Sequence, residues 1–346
     1  MRSIVLVAAL LLGAIVPGSI AGQEEGHSLA MSGGDLSEEA VQKLERQLES
    51  APDDAETRSR LLGYYFLHSR AFGEARKARQ QHILWLIRNR PEAPILETPF
   101  AHLDAILESS AYAEGKKAWL AQVDRQPKNT AILGHAAAYS LLHDMETAES
   151  LYRRAEAAEP QDPKWPERLG HLHALGLSAK SGAARQKAAK ASLDAFERSL
   201  QRTTDGEERE SLLTQVASVA LEAGEVAKAR GYAEEIIGKT GSGNWNDGDM
   251  LHQGNLVLGR IALRNGDVTK AKEHLLAAGK VSGSPVLGSF GPNMRLAKEL
   301  LEKGEREVVL EYFRLCGSFW KKDELKVWAK EVRAGKIPEF GGNLEY

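Results

Sequence analysis

Three places in the 346-residue chain hold residue types that could do chemistry. His171-Leu172-His173 offers two imidazoles, a common zinc donor, but a spacing of two sets them on opposite sides of a helix, and no His-Glu-x-x-His motif or cysteine pair joins them. They read as solvated or groove histidines. Asn244-Trp245-Asn246-Asp247-Gly248-Asp249 has the outline of a calcium loop, but its glycine stands one place early and no glutamate closes it. A helix-to-helix turn is the expectation there. His252 with Asp247 and Asp249 is the nearest approach to a hydrolytic set, and no nucleophile accompanies it. Cys316, the single cysteine, falls where a packed helix wants a small buried residue and is expected to be an inert core thiol. No catalytic residue, metal site or cofactor loop is assigned, so the chain reads as a non-enzyme with no cofactor.

The elements that must position these residues carry no strand signal. Helix-period patterns broken by Pro, Gly and Asn run from Leu36 to about Gly335. One stretch repeats a recognisable spacing: Ala136, Tyr139, Ala148 twelve on from Ala136, Tyr152, Ala155 and Pro160, with Pro127 standing 33 residues before Pro160. Small residues at 136 and 148 allow two helices to cross closely, the tyrosines fill the gaps, and the proline stops the second helix. This resembles the tetratricopeptide repeat, a pair of antiparallel helices in about 34 residues. The same offset recurs at Gly259 and Ala271, Ala217 and Ala229, and Gly63 and Ala75, and Glu222-Ala223-Gly224-Glu225 and Arg264-Asn265-Gly266-Asp267 supply turns between paired helices. The resemblance implies an all-α fold, a right-handed superhelical solenoid of about seven TPR-like helix pairs over 36–322. A capping helix and tail follow over 323–346, with Leu325 and Trp328 covering the last apolar end. Residues 255–346 also resemble a C-terminal block of exported bacterial repeat proteins, through Leu258-Gly259-Arg260, Gly291-Pro292-Asn293-Met294 and Phe319-Trp320.

The first 21 residues read as an address. Arg2 precedes a 13-residue apolar run, Ile4 to Val16, and Ser19-Ile20-Ala21 has the small-residue spacing of a signal-peptidase site. Thirteen apolar residues fall short of the roughly 20 a membrane-spanning helix needs, so cleavage after Ala21, export to the periplasm or beyond, and no stable membrane insertion are expected. Residues 22–35, rich in Gly, Ser and Glu, are expected to be flexible. A formal charge of −3 with no basic run argues against nucleic acid as a partner.

Binding surfaces are better supported than chemistry. The first helix of each pair should line a concave groove, and stepping past each small packing residue places there Arg60, Tyr64 and His68, then Phe100, Asp104 and Glu108, then His171, then Glu222, and finally Arg260, Arg264 and Lys298. Arg260, Arg264 and Lys298 form a basic end suited to an acidic segment or a free carboxylate of a protein or peptide. The plainer alternative is that the protein's own carboxylates, such as Glu302, neutralise them. Two long Gly-rich loops, 240–249 and 281–293, should emerge on one edge, bringing Trp245, Asn246, Asp247, His252, Phe290 and Asn293 together either as a small-ligand or glycan site or as a brace for the last repeats. The expected function is an exported adaptor; a loop-based binding module and, more remotely, a hydrolase around His252 are the alternatives.

Overall fold

The computed structural model of the chain describes residues 20–68, 73–177, 179–239 and 247–344, and among them every regular element is helical. The chain divides into two compact units, 1–172 and 173–346.

The first unit holds α1 (Ile20–Gly33), α2 (Glu38–Ser50), α3 (Ala55–His68), α4 (Gly73–Asn89), α5 (Ser109–Arg125), α6 (Thr130–Ser140), α7 (Met145–Ala158) and most of α8 (Lys164–Ala174), in which the boundary falls. Local chemistry sets the helix starts. The side chains of Ser37, Asn129 and Asp144 accept hydrogen bonds from the backbone N–H three residues on, satisfying donors that the first helical turn leaves without partners. Helices α6 and α7 pack on each other, and Ala136, Tyr139, Ala148, Tyr152 and Ala155 are all buried.

Two expectations fail in this unit. Residues 94–108 do not form the α-helix that the Phe100, Asp104 and Glu108 stripe assumed; Pro94 and Pro99 each open a short 3-10 turn, Pro94–Glu97 and Pro99–Ala101, followed by a turn over 105–108. A proline lacks the N–H that a helix interior needs, and two of them five residues apart leave no room for a full helix. The flexible segment expected at 22–35 is instead mostly α1, whose Gly26, Ala30 and Gly33 pack against α3 and the Pro94–Glu97 turn. The apolar run Ile4 to Val16 and Ser19 lie outside the described residues. No helix among the described residues is long and apolar enough to cross a membrane.

The second unit continues with α9 (Gly182–Arg202), α10 (Gly206–Ala223), α11 (Val226–Lys239), α12 (Asp247–Arg264), α13 (Val268–Gly279), α14 (Pro285–Phe290), α15 (Arg295–Glu302), α16 (Arg306–Cys316) and α17 (Glu324–Arg333). Each of α9 to α13 packs on its sequence neighbour. Gly224 and Gly266, at φ 83° and 81°, end α10 and follow α12 in the left-handed conformation that glycine adopts without a steric cost, and so make the two tight hairpin turns. Ala217 and Ala229 are fully buried, and a Cβ at Gly259 would lie 3.4 Å from the Ala271 carbonyl oxygen. Beyond them α17 lays Leu325, Trp328 and Val332 into an apolar cluster with Phe313, Cys316, Trp320 and Phe340. Cys316 is fully buried, and burial pushes its thiol well above the usual cysteine value.

Candidate functional site

The richest cluster of charge in the second unit centres on Glu222, in the last turn of α10. Its carboxylate is 7% exposed and accepts from Arg185 of α9 at 2.7 Å, from Arg260 of α12 at 2.9 Å and from Arg295 of α15 at 3.4 Å. Arg260 reaches on to Glu299 at 2.7 Å. Burial alone would raise the Glu222 carboxyl; the guanidiniums of Arg260 and Arg185 outweigh it and hold it down at about 2. Burial lowers Arg260, and its two carboxylate partners more than restore it above the ordinary arginine value.

Arg264, one turn beyond Arg260, differs. Its Nη1 donates to the Leu221 carbonyl at 2.8 Å, while Nε and Nη2 have no acceptor among the described residues. Burial and the neighbouring Arg260 charge pull Arg264 below the usual arginine value, against the attraction of Glu222 and Glu299. Among the described residues, the guanidiniums of Arg185, Arg260, Arg264 and Arg295 thus stand around the carboxylates of Glu222 and Glu299. Such a cluster can receive one further anionic group through the donors left on Arg264.

This corrects the basic end read from the sequence. Arg260 is not a free groove cation but a buried member of an ion-pair network, and the neutralising carboxylates are Glu222 and Glu299 rather than the exposed Glu302. Lys298 is half-buried and makes no ion pair among the described residues; its place in the network is taken by Arg295 and Glu299. Met294, one turn before Lys298, is fully buried, with its backbone N–H donating to the Asn343 carbonyl at 2.8 Å, and the helix presents 295 and 299 to the network. Arg295 and Glu299, four apart, were the legible sign of that face.

The loop candidates separate into a brace and a surface. Trp245 and Asn246 lie outside the described residues. Asp247 opens α12, so it and Asp249 stand in a helical first turn and not in an open ligand loop. The 281–293 segment contains the short helix α14, started by Ser284, whose hydroxyl accepts from the Leu287 N–H. His252 is fully buried beneath it: the Asn293 backbone N–H donates to Nε2 at 3.1 Å, so Nδ1 carries the proton and donates to the Ala278 carbonyl at 2.9 Å. Burial pushes this imidazole down to about 4. The one lone pair of the neutral ring, on Nε2, is thus taken up by the Asn293 N–H, and His252 ties this segment to α12. Asn293 is equally committed: Tyr312 donates to its carbonyl at 2.9 Å, and its side-chain Oδ1 accepts from the Arg295 N–H. Phe290 is 40% exposed at the end of α14. Asp249 has a buried Oδ1 with no hydrogen-bond partner, and burial raises its carboxyl to about 6.

In the first unit the groove candidates are mostly engaged by their own neighbours. Tyr64 and His68 stack at 4.1 Å, and the His68 Nδ1 lies 2.8 Å from the Tyr64 carbonyl oxygen. Asp104 accepts from the N–H groups of Ile106 and Leu107, both at 2.7 Å, and Glu108 pairs at 3.4 Å with the buried Arg79, which also donates to the carbonyls of Phe100 and His102. Asp104 and Glu108 thus build the turn before α5 rather than line an open stripe. Phe100 is buried, His171 stands 3.6 Å from Glu167, and Arg60 keeps a buried Nε without a partner. Among the described residues no three His, Cys, Asp or Glu side chains converge in a way that could hold a metal ion.

No protein-family model matches the chain, and no curated protein matches it.

Proposed function

We propose that this chain is an exported adaptor of the tetratricopeptide type, in which about seven helix pairs stack as a right-handed solenoid capped by α17 and a groove face binds a protein or peptide through an acidic segment or a free carboxylate. The observation that carries the reading is Arg264: two donors without an acceptor among the described residues, one helical turn from the ion pairs of Arg260 with Glu222 and Glu299. An anionic group there would replace water at donors already held in place, so little ordering would be lost on binding. Export rests on the basic start, the apolar run and the Ser19-Ile20-Ala21 spacing; intact mass of the protein from its native host should place the first residue at Gly22.

The binding role is tested by calorimetric titration with an extended acidic peptide, once with a free C-terminal carboxylate and once amidated. Arg264→Ala should weaken binding by about 1–3 kcal/mol and flatten its salt dependence. Equal affinity for parent and variant would move the site to the 281–293 segment, where the exposed Phe290 and the unpartnered Asp249 carboxyl favour a small-ligand module. A tryptophan fluorescence change on adding a small glycan, with no response to peptide, would then be expected.

A further inference from the structure

The helix α1 is held in an unusual way. Three of its fourteen residues are glycine, which weakens a helix by enlarging the conformational entropy lost on forming it. Among residues 26–33 the buried ones are Gly26, Ala30 and Gly33, with Leu29 half-buried, while His27, Ser28, Met31 and Ser32 are exposed. Over its described side chains, residues 26–33, it therefore docks mainly by backbone approach and covers little apolar side chain. The approach is close on both sides: a Cβ at Gly33 would fall on the Arg60 carbonyl, one at Gly63 would fall on the Ala30 carbonyl, and one at Gly26 would meet the Ile95 backbone. The His27 ring also meets the Phe100 ring edge-on at 5.4 Å. The receiving surface thus runs from α3 to the Pro94–Ala101 segment, the first elements of two successive pairs, and includes two positions, Arg60 and Phe100, that the repeat register assigns to the groove.

We propose that α1 is a built-in, displaceable occupant of the first unit's groove, holding the surface of Arg60, Gly63, Ile95 and Phe100 until a partner's helix with small residues at equivalent positions takes its place. A helix with Gly at positions i and i+7 and Ala or Gly at i+4 has the face whose backbone can approach Gly63 and the Arg60 carbonyl this closely. A partner helix with Gly only at the two contact positions and stronger helix formers elsewhere would compete for this surface with a lower ordering cost. The proposal rests on the binding role inferred above, yet it concerns a different face from Arg264, and its test uses no acidic peptide.

Hydrogen exchange of the full chain should show the amides of α1 exchanging at least tenfold faster than those of α3, the mark of a segment that opens without global unfolding. Gly33→Ala spoils α1 while leaving the receiving surface intact; Gly63→Ala spoils the surface while leaving α1 intact. A synthetic peptide of residues 22–34 should bind the Gly33→Ala chain at least tenfold more tightly than the parent, and should not bind the Gly63→Ala chain. Exchange of α1 as slow as that of α3, collapse of the first unit in Gly33→Ala, or equal peptide affinity for parent and Gly33→Ala would each overturn the proposal by making α1 an integral part of the fold. Acidic-peptide binding at Arg264 could fail while this exchange pattern held, so the two readings stand or fall separately.

Discussion

His252 and Asn293, 41 positions apart, are joined by a hydrogen bond in which the Asn293 backbone N–H donates to the imidazole Nε2 at 3.1 Å. That bond fixes the tautomer of a fully buried ring and ties the segment before α15 to the face of α12.

The ring's value of about 4, against an ordinary 6.5, makes the second unit sensitive to mild acid. Between those values the unfolded chain binds a proton that the folded chain refuses, so the contribution is complete above about pH 6.5 and falls away towards pH 4, by about 3 kcal/mol in all. His252→Phe should cost about 2–4 kcal/mol at pH 7.5, because it leaves the Asn293 N–H and the Ala278 carbonyl buried without partners. Urea unfolding of parent and variant across this range should show the gap between them narrowing as the pH falls. A gap of constant size would contradict the buried neutral ring.

Arg260 and Arg264 lie four apart and should behave in opposite ways. Arg260→Ala takes from Glu299 its guanidinium partner and leaves Glu222 with Arg185 and Arg295 alone, and is expected to destabilise the protein by about 2–3 kcal/mol. Arg264→Ala removes one bond to a backbone carbonyl and should cost about 1 kcal/mol or less. Thermal or denaturant midpoints of the two variants decide the matter; equal losses would mean that Arg264 is as structural as its neighbour.

Ala148 is fully buried where α7 packs on α6. Ala148→Trp should overpack that crossing and lower the stability of the first unit by about 1–3 kcal/mol. A variant as stable as the parent would show that the twelve-residue offset had been assigned to the wrong face.

What could be read from the sequence was local. Asp144 and Asp267 announce helix starts because their carboxylates cap their own next turn, and Gly224 and Gly266 announce turns because few other residues tolerate positive φ. The α1 helix was not legible, since its glycines, which locally signal a loose chain, serve here to admit a neighbouring backbone that no local pattern reveals. The same limit applies to the charged site. Glu222, Arg260 and Arg264 were found by their helix faces, whereas Arg185 and Arg295 join them only because the fold brings distant helices to one carboxylate. Pro94 and Pro99 were visible but were outweighed by a helical register carried in from neighbouring repeats, when their missing N–H groups should have decided the segment.

A stack of repeats in which each unit touches only the next would let mutations on separated helices add without interference. Glu222 breaks that independence, because a single carboxylate answers to guanidiniums from α9, α12 and α15 at once. Truncating Arg185 changes what Arg295 has to balance, so a double-mutant cycle between these two residues should close with a coupling of about 0.5–1 kcal/mol instead of zero. The second unit should accordingly lose α9 and α15 in one cooperative step, with the buried carboxylate acting as the junction through which the two ends sense each other.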